Sequence, residues 1–186
     1  MDKETKLKLF QEGLQSYVDA VSAIRGFCAE VCSQSQSVLE RNLNDLRGTL
    51  QRDIQPEWIQ PYVSPNCVDK PDWDGMSAWV TAKVGVQDLC GIYAGLFWQA
   101  RDGEEVEPRV CVDLEIYNRQ IFHRVLEQLR GIAGDRVQSV PRWNELRIWE
   151  PISPTNAADF SDRLDRITKE WTTLLRQIPP EVFARP

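Results

Sequence analysis

Asp113 and Glu115 stand two residues apart in a run, 109–117, whose β-branched and aromatic side chains read as a strand. Side chains two apart on a strand leave the same face, so the two carboxylates point together. Alternation in the neighbouring strand-like runs sets Trp79, Lys83, Tyr93, Phe97, Tyr117, Glu145, Arg147 and Trp149 on that face as well. Paired acids beside a lysine are what a metal-dependent phosphodiesterase needs: the carboxylates hold a divalent ion, and the ammonium steadies the attacking water or the developing charge. In that reading Asp113, Glu115 and Lys83 are the machinery. The competing reading pairs the acids with Lys83 or Arg147 across strands, and it is the favoured one, because half-buried acids and bases on adjacent strands usually pair. The expectation is therefore no catalytic residue, no cofactor and no metal ligand. Trp79, Tyr93, Phe97, Tyr117, Arg147 and Trp149 remain candidates for a binding face, four of whose aromatics would also line a small-ligand pocket.

Other chemistries find less support. His123 is the only histidine, which makes a histidine-ligated metal site or a Ser-His-Asp relay hard to build. Cys28 and Cys32 lie one helical turn apart but lack further ligands, and Gly91 and Gly95 do not form a phosphate-binding loop pattern. Five cysteines, Cys28, Cys32, Cys67, Cys90 and Cys111, have no disulfide-framework spacing and fit reduced thiols that pack as small hydrophobes. Arg142, Arg147, Arg163 and Arg166 could cluster, but Asp159, Asp162, Asp165 and Glu170 alternate with the helical ones and suggest an ordinary solvated face.

The elements that must position the acidic face are legible. Residues 90–99 and 109–117 flank the charged turn 101–105 and predict a β-hairpin. A strand at 76–84 precedes it and a further strand at 145–150 follows. On the other face of these strands Val80, Ala82, Val84, Ile92, Ala94, Leu96, Trp98, Val110, Val112, Leu114, Ile116, Leu146 and Ile148 are uniformly apolar and call for helices to cover them. Asn118 can cap a helix reaching Ala133, with Gly134 as its stop. A last helix starting near Asn156 presents Phe160, Leu164, Ile167, Trp171, Leu174, Leu175 and Ile178 before two prolines end it. The fold class is α+β, with a mainly antiparallel sheet of about four strands.

The N-terminal third is different. Leu7, Phe10, Leu14, Tyr17, Val21 and Ile24 alternate in steps of three and four, an apolar seam that continues to Cys28 and Val31. Such a helix wants a partner: a second copy, another protein or this chain's own sheet. The polar run 32–37 leaves open whether residues 5–50 make one helix or a helical hairpin. Residues 1–52 thus read as a helical segment, 53–73 as a connection rich in proline and aromatics, and 74–186 as the sheet domain, all within one structural unit. A net charge of −6 disfavours unspecific attraction to nucleic acid or an anionic membrane. No apolar run reaches membrane-spanning length and no signal-peptide core is present, which predicts a cytoplasmic protein.

The run 121–126, Ile-Phe-His-Arg-Val-Leu, the run 142–149, Arg-Trp-Asn-Glu-Leu-Arg-Ile-Trp, and Trp171 carry a resemblance. From about residue 90 onward the order of elements is similar to an uncharacterised bacterial domain found in proteins of restriction and related defence systems, akin to the restriction-endonuclease-like fold. The resemblance implies a nuclease-like sheet, but the acid-x-Lys pair of that superfamily is absent, since the run 113–117 is Asp-Leu-Glu-Ile-Tyr. The expected function is a small protein-interaction protein without catalytic activity, joined to itself or to a protein partner through the N-terminal helix and linked to bacterial or phage defence. A metal-dependent nuclease or nucleic-acid binder built on Asp113, Glu115 and Lys83 is the alternative.

Overall fold

The structure, a computed structural model, describes residues 2–50, 60–63, 76–86, 89–100, 108–153 and 157–183. Most of the 53–73 connection, the 101–105 turn, Cys67, Asn156 and the side chains of Val21, Ile24, Trp79, Lys83 and Trp98 fall outside that description. The N-terminal segment is one long helix, α1 (Lys3–Arg41), followed by the short α2 (Leu43–Leu50). Asp2 caps α1 by accepting from the Thr5 amide at 2.8 Å and the Thr5 hydroxyl at 3.0 Å.

The polar run after Cys32 stays helical because its side chains find partners within the helix. Ser35 and Ser37 donate to the carbonyls of Val31 and Ser33, while Gln34 and Gln36 donate to Glu30 and Glu40 one turn away. The break comes at Asn42 instead. Its side-chain amide donates to the Val38 carbonyl at 2.8 Å and to Asp165 at 2.9 Å, closing the end of α1 and fastening it to a helix far along the chain.

Six strands are described: β1 (Gln60–Val63), β2 (Met76–Val86), β3 (Cys90–Ala100), β4 (Arg109–Ile116), β5 (Gln138–Val140) and β6 (Glu145–Pro151). They form one sheet in the order β1-β2-β3-β4-β6-β5, with every pair antiparallel. The four longer strands match the sequence reading. The two short edge strands were not expected, since a proline-bearing tetrapeptide and a three-residue run carry too little alternation to read.

Between β4 and β5 runs α3 (Arg119–Ala133), whose first amides donate to the Asn118 side chain and whose end is marked by Gly134 at φ 54°. The closing helix is α4 (Phe160–Arg176). The buried stripes of α3 and α4 join Ile92, Ala94, Leu96, Val112, Leu114, Leu146 and Ile148 of the sheet in one core. Trp171 of α4 is 2% exposed and donates its indole N–H to the Val112 carbonyl at 2.8 Å, so the largest core side chain leaves no polar atom stranded. Cys28, Val31, Cys32, Val38 and Leu39 bring the C-terminal part of α1 into the same core. From residue 3 to residue 27, every described side chain of α1 is exposed.

Candidate functional site: the charged sheet face and the N-terminal arm

Register assembles the face that alternation predicts. Lys83, Tyr93, Asp113 and Arg147 stand in one row across β2, β3, β4 and β6, and Gly91, Glu115 and Glu145 stand in the next. Asp113 is 7% exposed, and both of its oxygens are engaged by Arg147. The guanidinium Nε lies 2.9 and 2.8 Å from the two carboxylate oxygens and a terminal nitrogen lies 2.6 Å from one of them. The same terminal nitrogen reaches Glu145 at 3.3 Å. Glu115 accepts from the Tyr93 hydroxyl at 2.7 Å.

One guanidinium thus serves two carboxylates in a buried setting. Burial pushes the Asp113 carboxyl up against the opposing pull of Arg147. Glu145 is pushed up to about 7, first by burial and then by the neighbouring Asp113 charge, with Arg147 opposing. Cys111, next to this cluster and buried, has its thiol raised well above the usual range by burial and by Asp113. The arrangement sets Glu145 and Asp113 in competition for one guanidinium.

The aromatics organise around the arginines. The Arg147 guanidinium lies 4.7 Å from the centre of the Phe97 ring, and that of Arg109 stacks on Trp149 at 3.7 Å. Phe97 and Trp149 are themselves 6.4 Å apart. Of the predicted binding residues, Tyr93, Phe97, Arg147 and Trp149 therefore share one patch, while Tyr117 lies past the end of β4, 44% exposed. Trp79 is in register with Phe97. Arg109 was missed, although its parity with Asp113 along β4 placed it on this face. Among the described residues no group of three or more His, Cys, Asp or Glu side chains is arranged to hold a metal ion. His123 is exposed and lies edge-on to Phe122 at 5.3 Å.

The basic residues of α4 also find partners. Arg163 at 3.5 Å, Arg166 and Arg136 at 3.1 Å all converge on the Glu150 carboxylate, and Arg136 holds Glu170 at 2.7 Å. This network clamps α4 to β6 and to the turn after α3.

The predicted interface residues lie elsewhere. Leu7, Phe10, Leu14 and Tyr17 are 57%, 65%, 49% and 54% exposed on the free end of α1, with Leu9, Val18 and Phe27 exposed beside them. Val21 and Ile24 continue the seam in helical register. Over this arm, about 37 Å long at ~1.5 Å per residue, an apolar stripe faces water. No described helix is long and apolar enough to cross a membrane.

In comparison with known proteins, no family model matches this chain, and neither a curated protein nor a solved structure matches it significantly.

Proposed function

We propose that this is a non-catalytic protein-interaction protein whose N-terminal arm is the docking element. The observation that carries the reading is the exposure of Leu7, Phe10, Leu14 and Tyr17 on a helix that is anchored in the core only beyond residue 27. Stripes of this size on soluble proteins mark interaction surfaces. The state of the acidic face supports the same reading, since Asp113 is spent on Arg147 and Glu115 on Tyr93, so a divalent ion would have to displace both partners. Four buried cysteines and the acidic net charge are in keeping with work in a reducing cytoplasm. The setting proposed with this reading, bacterial or phage defence, rests on the resemblance of the element order from about residue 90 to a restriction-associated domain.

The test compares the full chain with Leu14→Asp by light scattering coupled to size exclusion and by pull-down, with circular dichroism as the check on folding. The expected result is a complex, with itself or another protein, that is lost in a variant of unchanged secondary structure and melting temperature. A wild-type chain that stays alone in both assays, or a Leu14→Asp variant that unfolds, would overturn the proposal. So would Mg²⁺- or Mn²⁺-dependent cleavage of nucleic acid that disappears in a folded Asp113→Ala variant.

A further inference from the structure

The arm's own sequence points to what covers it. We infer that the occupant is a second copy of this chain, with the two arms running antiparallel; the inference rests on the docking reading and names its partner.

The seam alternates steps of three and four from Leu7 to Ile24, the pattern of a two-helix supercoil. Set antiparallel, Leu7 of one copy meets Ile24 of the other, Phe10 meets Val21, and Leu14 meets Tyr17. Every seam position finds an apolar counterpart by two-fold symmetry, and no residue is left over. Beside the seam, Gly13 faces Ala20 and Gln11 faces Val18, which are small or uncharged and let the helices approach. Nothing lies within 4 Å of a methyl group added at Gly13, so that flank is open. At each end Glu4 faces Arg25, an opposite-charge pair that occurs twice in the dimer. Lys6 faces Phe27, and its methylenes can cover that exposed ring.

A parallel pair does worse. It offers no opposite charges across the flanks: Lys6 would face Gln11, and Ala20 would face Arg25. It would also bring the two bodies together where both arms enter their cores, at Cys28, 5% exposed. In the antiparallel arrangement the bodies stand at opposite ends of the paired arms. A seam of six residues from each copy makes a small interface, so the dimer is expected to dissociate on dilution.

Sedimentation equilibrium on the full chain tests this, with wild type, Leu14→Asp, Glu4→Arg, Arg25→Glu and the double variant Glu4→Arg/Arg25→Glu. The wild type is expected to dimerise and Leu14→Asp to be a folded monomer. Each single reversal sets two like-charge contacts in place of two attractive ones and is expected to raise Kd about tenfold. The double variant restores the pairs and is expected within about twofold of wild type. In a parallel dimer Glu4 and Arg25 are about 30 Å apart, at ~1.5 Å per residue, and the double variant would show no rescue. Absence of rescue overturns the antiparallel register. A dimer indifferent to Leu14→Asp overturns the seam as its interface. A wild type that stays monomeric overturns the second copy as occupant while leaving the docking reading standing if Leu14→Asp is folded, and removes both if Leu14→Asp unfolds.

Discussion

The two ends of α1 carry the same kind of seam and meet opposite fates. In the anchored end Val38 and Leu39 are fully buried against the sheet domain, whereas in the arm Leu7 and Phe10 are more than half exposed. The polar residues divide in the same way. In the body, Asp113, Glu145 and Glu150 are engaged by arginines of the same molecule, while the arm's contacts are short-range ones along its own surface, such as Lys8 with Glu12 at 4.0 Å and Gln15 with Asp19 at 2.9 Å. Periodicity therefore establishes that a helix face is apolar. What lies against that face is decided by where the rest of the chain ends up.

The largest way to sharpen this contrast is to remove equal side chains from the two ends. Leu39→Ala deletes a fully buried group and leaves a cavity, and is expected to cost about 3–4 kcal/mol of unfolding free energy. Leu9→Ala, at a site 53% exposed in the arm, is expected to change it by less than about 0.5 kcal/mol. Urea unfolding at a protein concentration low enough to keep any dimer dissociated reads both. Similar losses at the two sites would mean that the arm is part of the core.

The next step breaks the polar half of the contrast. Asp113→Asn keeps the shape of the side chain but leaves the Arg147 charge, 11% exposed, without its two-oxygen partner. Breaking a buried pair by removing one member is costly, and the 3.3 Å contact with Glu145 can recover only part of it. A loss of about 2–3 kcal/mol is expected near neutral pH. A metal site built on Asp113 predicts the opposite sign, because the neutral amide would relieve repulsion among unliganded acids.

How far the sequence reaches can be judged element by element. The ends of β2, β3, β4 and β6 fall within two residues of their expected positions, because alternation and flanking turn residues are local signals. The cap of α3 is read directly from Asn118 and Gly134. The parity of Asp113 and Arg147 was legible too, and with it a pairing of the acids with Lys83 or Arg147, but which base takes Asp113 was not. It depends on the register of β4 against β6, two strands separated by α3, and nothing local fixes that register. The continuity of α1 through the run 32–37 was open for a related reason. Serine and glutamine favour caps or helix interiors depending on whether a turn-distant partner exists, as Val31, Ser33, Glu30 and Glu40 provide here. The charge network on Glu150 was hidden because Arg136 reaches it from a turn after α3, a contact between distant elements.

The smallest expected effect is at Glu145, in the body. Glu145 competes with Asp113 for a single guanidinium, and its carboxyl is pushed up to about 7 from an ordinary value of 4.5. The folded protein therefore holds this proton more tightly than the unfolded chain does. Its contribution to stability is present at low pH and is lost as pH rises from about 4.5 through about 7. The raised Asp113 carboxyl acts with the same sign. Glu145→Gln fixes the neutral form and can still accept from Arg147, so it is expected to match wild type near pH 4 and to exceed it at pH 8. The gain is of order 1 kcal/mol once screening of this partly exposed group is allowed for. Unfolding free energies across that range read the difference. A variant that tracks wild type at both ends would mean that Arg147 neutralises both acids at once.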